Sequence, residues 1–236
     1  MNKENLLFGI VGLLAGLIVG FMLTNNINQS GMVPATSAAS SMQANSNMPA
    51  GHPQISSTTQ PKEMTPEGQA TIDAAKQTPN DFEAQLKAAE VYYVLDRYDE
   101  AIAFLKIANK LQPDDREVLV NLGNANFDGE KWDEAEKWYN AALAKKSDDV
   151  NVRTDLGLIF VFRDPPNYDR AIAEFNKSLA LDPNHIQTLQ NLTVAYAKKG
   201  NSAKAKETLT KLETVDPKNA ALNRLRDDIS KMGSGS

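Results

Sequence analysis

The sequence predicts an all-α chain, a helix-turn-helix solenoid of four repeats with an N-terminal half-repeat and a C-terminal capping helix. One transmembrane helix and a disordered linker precede it. Three observations carry this. Asp96-Arg97-Tyr98-Asp99-Glu100-Ala101-Ile102 recurs around Trp132 and Tyr168, and more weakly around Ser202. The alanines of these phrases, Ala101, Ala135, Ala171 and Ala205, step by 34, 36 and 34 residues. Within each unit apolar residues fall at i, i+3, i+4 and i+7, the spacing of one helix face. Such a pair cannot bury its own apolar face, so it must stack on its neighbours.

Residues 1–5 form a short flank, and 6–23 read LLFGIVGLLAGLIVGFML without a charged side chain. As a helix this run is about 27 Å long, against a bilayer core of roughly 30 Å. A cleaved secretory signal would also begin with Lys3 and an apolar stretch. The run is longer than the usual signal core, however, and ends in Leu23-Thr24-Asn25-Asn26 rather than a small-x-small site. The reading is an uncleaved signal-anchor in the inner (cytoplasmic) membrane. No Lys or Arg follows until Lys62, which places the N-terminus in the cytoplasm and the rest in the periplasm or another extracytoplasmic space. Gly12, Gly16 and Gly20 form a smooth stripe on which a second helix could pack.

Residues 24–64 read as a flexible linker. Thr24 to Gln60 carries no Asp, Glu, Lys or Arg, and nothing in it repeats at helical or strand spacing, so ordering it would cost more than burial returns. Its reach as a coil is on the order of 30–35 Å. His52 and Met32, Met42 and Met48 are too irregularly spaced for a metal tract.

Thr65-Pro66-Glu67 is an N-cap followed by proline at the first helical position. It opens a half-repeat over 65–79. The four units then span 80–218, approximately 82–115, 116–149, 150–185 and 186–219, with Pro113, Ser147, Pro183 and Pro217 closing them. In unit two, Leu119, Leu122 and Ala125 share a stripe on the first helix. On the second helix Ala135, Trp138, Tyr139, Ala142 and Leu143 do the same. Gly123 and Ala135 let the two helices approach closely, and acidic pairs such as Asp133-Glu134 suit the helix dipole. A capping helix is predicted over 219–232, with Leu222, Leu225 and Ile229 inward; 233–236 read as an appended Gly-Ser linker. Unit three carries a two-residue insertion between Phe162 and Tyr168, read as an ordinary loop.

Composition excludes several classes of function. There is no cysteine, hence no disulfide, thiolate metal site, cysteine nucleophile or lipid anchor on cysteine. A net charge of −5, from 25 basic and 30 acidic residues, argues against nucleic acid as a partner. No catalytic constellation, metal site or cofactor motif is found; His185 reads as a turn residue, and no phosphate-binding glycine loop occurs.

Leu119, Leu122-Gly123, Ala135, Tyr139, Ala142 and Leu143 of unit two resemble the tetratricopeptide repeat (TPR) family, and the resemblance extends over about 140 of 236 residues. Departures include Asn126 for an aromatic residue, Ser147 for the closing proline, and Ala88-Ala89 and Leu192-Thr193 for Leu-Gly. The resemblance implies a binding module whose concave face, lined by the first helix of each unit, holds a peptide or helix of another protein. Its inner positions fall on Leu86, Glu90 and Tyr93; Val120, Asn124 and Phe127; Thr154, Leu158 and Val161; and Gln190, Val194 and Ala197. One branch of the family clamps carboxylates with basic residues here. Asn121 matches that pattern, but Leu86, Asn151 and Asp155 stand where bases are needed, so clamping is not expected. The expected function is a membrane-tethered scaffold or assembly factor. Alternatives are a permanent subunit of a membrane complex or homo-oligomer, and a cleaved periplasmic adaptor resembling those of cytochrome c maturation.

Overall fold

A computed structural model describes residues 63–233. The predicted flank 1–5, the span 6–23 with Gly12, Gly16 and Gly20, and almost all of the linker 24–64 lie outside the described residues, as does the end of the Gly-Ser tail. Among the described residues no helix is long and apolar enough to cross a membrane.

The described residues form ten helices and no strand: α1 Pro66–Gln77, α2 Phe82–Val94, α3 Tyr98–Leu111, α4 Arg116–Asp128, α5 Trp132–Lys145, α6 Val150–Phe162, α7 Tyr168–Leu181, α8 Ile186–Lys198, α9 Ser202–Val215 and α10 Leu222–Gly233. Each helix packs on the next, and α8 also packs on α10. Several helix starts follow from short polar side chains that take a free backbone N–H. Thr65 accepts from Gly68 at 3.0 Å, and Asp81, Asp115 and Asp149 accept from Ala84, Val118 and Val152 at 3.1, 2.9 and 3.0 Å. The buried Gln85 ties the half-repeat to unit one, donating from Nε2 to the carbonyls of Ala75 and Thr78 at 2.8 and 3.1 Å.

The turn between paired helices is built the same way in units one, two and four. Asp96, Glu130 and Gly200 have φ of 58°, 56° and 84°, a left-handed position that reverses the chain in few residues. The turn is closed by backbone bonds from Arg97 to Tyr92, Lys131 to Asn126 and Asn201 to Tyr196, at 2.9, 2.8 and 2.8 Å. In unit three the equivalent bond runs from Asn167 to Phe160 at 2.7 Å. The two extra residues are therefore looped out between the same closing partners, through a cis Asp164–Pro165 bond. The last helix begins later than expected, at Leu222, because the Asn219 side chain accepts from Ala221 at 3.0 Å and holds that stretch as a turn. Leu222, Leu225 and Ile229 are buried.

The close approach inside a unit is a contact between a glycine and an aromatic ring. A Cβ added at Gly123 would lie 2.4 Å from the Tyr139 ring, and one at Gly157 would lie 2.5 Å from Phe175. Both rings are fully buried. The corresponding pairs in units one and four are Ala89 with Leu105 and Thr193 with Leu209, all buried. Where the facing side chain is a smaller leucine, a larger residue replaces glycine. That accounts for Ala89 and Thr193 standing where the pattern has Gly.

Gly123→Ala should therefore destabilise the domain by about 1–3 kcal/mol, the usual cost of overpacking, despite alanine's better helix propensity. Urea unfolding followed by far-UV circular dichroism measures it.

Candidate functional site

The first helices of the units, α2, α4, α6 and α8, carry every residue expected on the inner face, but they are not spaced alike. Between α2 and α4 lies a cavity of about 430 Å³. Leu86, Glu90 and Tyr93 line it from α2 and Asn124 from α4, joined by Glu83, Lys87, Ala89, Leu105, Glu117 and Asn121. At the other end Val194 and Ala197 line a smaller hollow of about 170 Å³ against Leu225 and Ile229 of α10.

Between these ends the face is closed. Helices α6 and α8 pack directly on each other. Thr154 Oγ1 lies 2.7 Å from Thr188 Oγ1 of α8 and 2.9 Å from Ser178 Oγ of α7, and donates to the Val150 carbonyl. Thr154 and Leu158, expected as partner contacts, are 0 % and 2 % exposed and belong to the interior. The correction has a physical cause: small hydroxyl side chains let the two helices meet, and the meeting removes both residues from the surface. Phe127 is also buried, its ring edge-on to Trp132 at 5.3 Å and to Phe162 at 5.9 Å. Val120 and Val161 are half-buried against the core. Gln190, half-buried, donates to Asn219 at 2.7 Å.

Tyr93 on the wall of the larger cavity, and the fully buried Tyr139 that bonds its Asn124, order the polar groups there. Tyr93 donates its hydroxyl to Asp128, and burial, followed by that carboxylate, pushes its pKa well above the ordinary phenol value. Tyr139 donates to Asn124 Oδ1 at 2.9 Å, and complete burial likewise holds it protonated. Both phenols are thus fixed as donors at any physiological pH. Asn124 is 6 % exposed. With its oxygen taken by Tyr139, its amide N–H₂ has no acceptor among the described residues.

Glu83, Lys87 and Glu117, not singled out from the sequence, line the cavity as well. Helical spacing carries the signal, since Glu83, Leu86, Lys87, Glu90 and Tyr93 recur at intervals of three and four. Which way that face looks is set only by how α4 stacks. Among the described residues no group of His, Asp and Glu could hold a metal ion.

A family model described as tetratricopeptide repeat matches residues 71–119, 97–156 and 167–229, more than half of the chain. The chain belongs to the tetratricopeptide repeat family. Solved structures of MamA are similar: one is 26% identical with a TM-score of 0.58, covering 64% of this chain and 87% of that one. A tetratricopeptide repeat protein from Parabacteroides merdae, 19% identical at a TM-score of 0.58, covers 64% of this chain and 60% of that one and bears on the fold alone. The BBSome complex member BBS4 of Bos taurus is 29% identical over 133 residues, 56% of this chain. The match spans a quarter of that curated relative. Repeats of this kind are protein–protein interaction scaffolds, and the chain carries one.

His185 lies at the junction of units three and four, where its Nδ1 is 2.7 Å from Thr188 Oγ1. Burial lowers its pKa, opposed by the nearby Asp182. The unfolded chain therefore takes up this proton first, and stability falls as pH drops below the ordinary histidine value of 6.5, levelling off below the depressed folded value. His185→Asn should reduce the loss of urea midpoint between pH 7.5 and 5.5. An unchanged loss would mean the ring is not held neutral by the fold.

Proposed function

We propose that the chain is a membrane-tethered scaffold that binds a partner protein on the face formed by α2 and α4, acting as an assembly factor without catalysis. The observation that carries this is the cavity of about 430 Å³ containing Leu86, Glu90 and Tyr93, three of the residues expected to meet a partner. It is open, mixed in polarity, and walled by Tyr93, whose hydroxyl is already committed to Asp128, so a partner meets a preformed surface. The apolar run 6–23 supports the tether, with the repeats on the extracytoplasmic side. Holding the repeats at a membrane raises their effective concentration there without any new contact.

A second reading is a permanent subunit of a multi-subunit complex, and one observation favours it: the relative BBS4 is named as a complex member. Mild-detergent purification of the full chain from native membranes, with mass spectrometry of everything retained, separates the two. Under the scaffold reading, companions are substoichiometric. Leu86→Gln should reduce them at least tenfold, while Lys106→Gln on the outer helix α3 leaves them in place. Fixed-stoichiometry companions indifferent to Leu86→Gln would favour the permanent subunit. Release of an N-terminally processed chain without detergent would overturn the tether.

A further inference from the structure

The carboxylates of the outer helices and those of the cavity are treated differently by the fold. Along the outer helices each unit is pinned to the next: Asp99 pairs with Lys131, Asp133 with Arg163 at 2.8 Å, and Asp169 with Lys199. Glu136 is paired too, with Arg163 at 3.6 Å and Arg170 at 2.7 Å. Glu83, Glu90 and Glu117 are exposed, line one cavity, and make no ion pair among the described residues. Lys87 lines the same cavity, so three negative charges face one positive charge across it.

Three like charges around a partly apolar hollow concentrate a negative potential there, and a cation entering would neutralise repulsion that the free domain has to tolerate. The floor is apolar, with Leu86, Ala89 and Leu105, so an aliphatic side chain would be held as well. Asn124 adds a directional contact. It lines the cavity wall with Oδ1 taken by Tyr139 at 2.9 Å, which leaves its solvent-accessible N–H₂ to donate to a ligand. A peptide carbonyl would satisfy it, whereas a free polyamine or metal ion would not.

We propose that the cavity between α2 and α4 takes a peptide segment of a partner protein, in which an apolar side chain is flanked by Lys or Arg and a backbone carbonyl accepts from Asn124. This rests on the partner-binding reading above and names the chemistry of the partner. The apolar anchor fills the floor, the basic residues meet Glu83, Glu90 and Glu117, and an acidic segment is repelled by the same rim.

Selection of random dodecapeptides by phage display on the full chain in detergent micelles, followed by fluorescence anisotropy of the recovered peptides, tests it. The expected peptides are enriched in Lys and Arg beside an aliphatic residue. Their affinity should fall at least tenfold in the triple variant Glu83→Gln, Glu90→Gln, Glu117→Gln, and should weaken between 50 and 300 mM salt. Exposed positions make this variant safe for folding, which circular dichroism checks. Peptides that keep their affinity in the triple variant but lose it in Leu86→Gln would overturn the cationic partner while leaving the groove reading intact. Peptides indifferent to both substitutions would overturn both. Recovery of no peptide, with self-association by sedimentation velocity that the triple variant abolishes, would assign the cavity to a second copy of the chain and overturn the proposal.

Discussion

Everything in the described domain depends on how closely the two helices of a unit can approach. In units two and three the approach is set by a glycine lying against an aromatic ring, Gly123 on Tyr139 and Gly157 on Phe175, with no room for a Cβ. The ring then fills the space that side chains on both helices would otherwise contest, and dense packing leaves no alternative arrangement. Because the contact repeats along the chain, each unit presents nearly the same surface to the next. Stacking follows from that sameness.

Stacking is not uniform, and function follows from the difference. At the α6–α8 junction, Thr154, Ser178 and Thr188 meet within 2.7 to 3.1 Å. Their hydroxyls satisfy one another in the interior, where an unpaired hydroxyl would cost about 1–3 kcal/mol. That junction is closed. Between α2 and α4 the facing residues are Glu, Leu, Tyr and Asn, the helices leave a cavity, and the tyrosine hydroxyls are turned to Asp128 and Asn124. One array of similar units thus contains both a sealed seam and an open one.

The charged side chains divide along the same line. On the outer helices, Asp99, Asp133 and Asp169 sit at one repeated position and reach a Lys or Arg of the following unit. Exposed pairs of this kind contribute about 0–1 kcal/mol each, so they align units more than they hold them. The cavity carboxylates have no such partners among the described residues, which leaves that face acidic.

The period, the helix pairs and the Thr65 cap were legible in the residues, because each is a local requirement: a threonine before Pro66, a repeated phrase, apolar residues three and four apart. The close approach at Gly123 was legible for the same reason, but that it is made against the Tyr139 ring was not. Less of the site was. Leu86, Glu90, Tyr93 and Asn124 do line one cavity, but Thr154, Leu158 and Phe127, drawn from equivalent positions, are buried. Equivalent positions in a repeat diverge once neighbouring units differ in side-chain size, and that depends on residues about 34 apart in the chain. The amino-acid order by itself determined that this chain builds stacked helix pairs. Only the tertiary structure decided which seam stays open, because helix separation is set by contacts between units, and no local pattern encodes it.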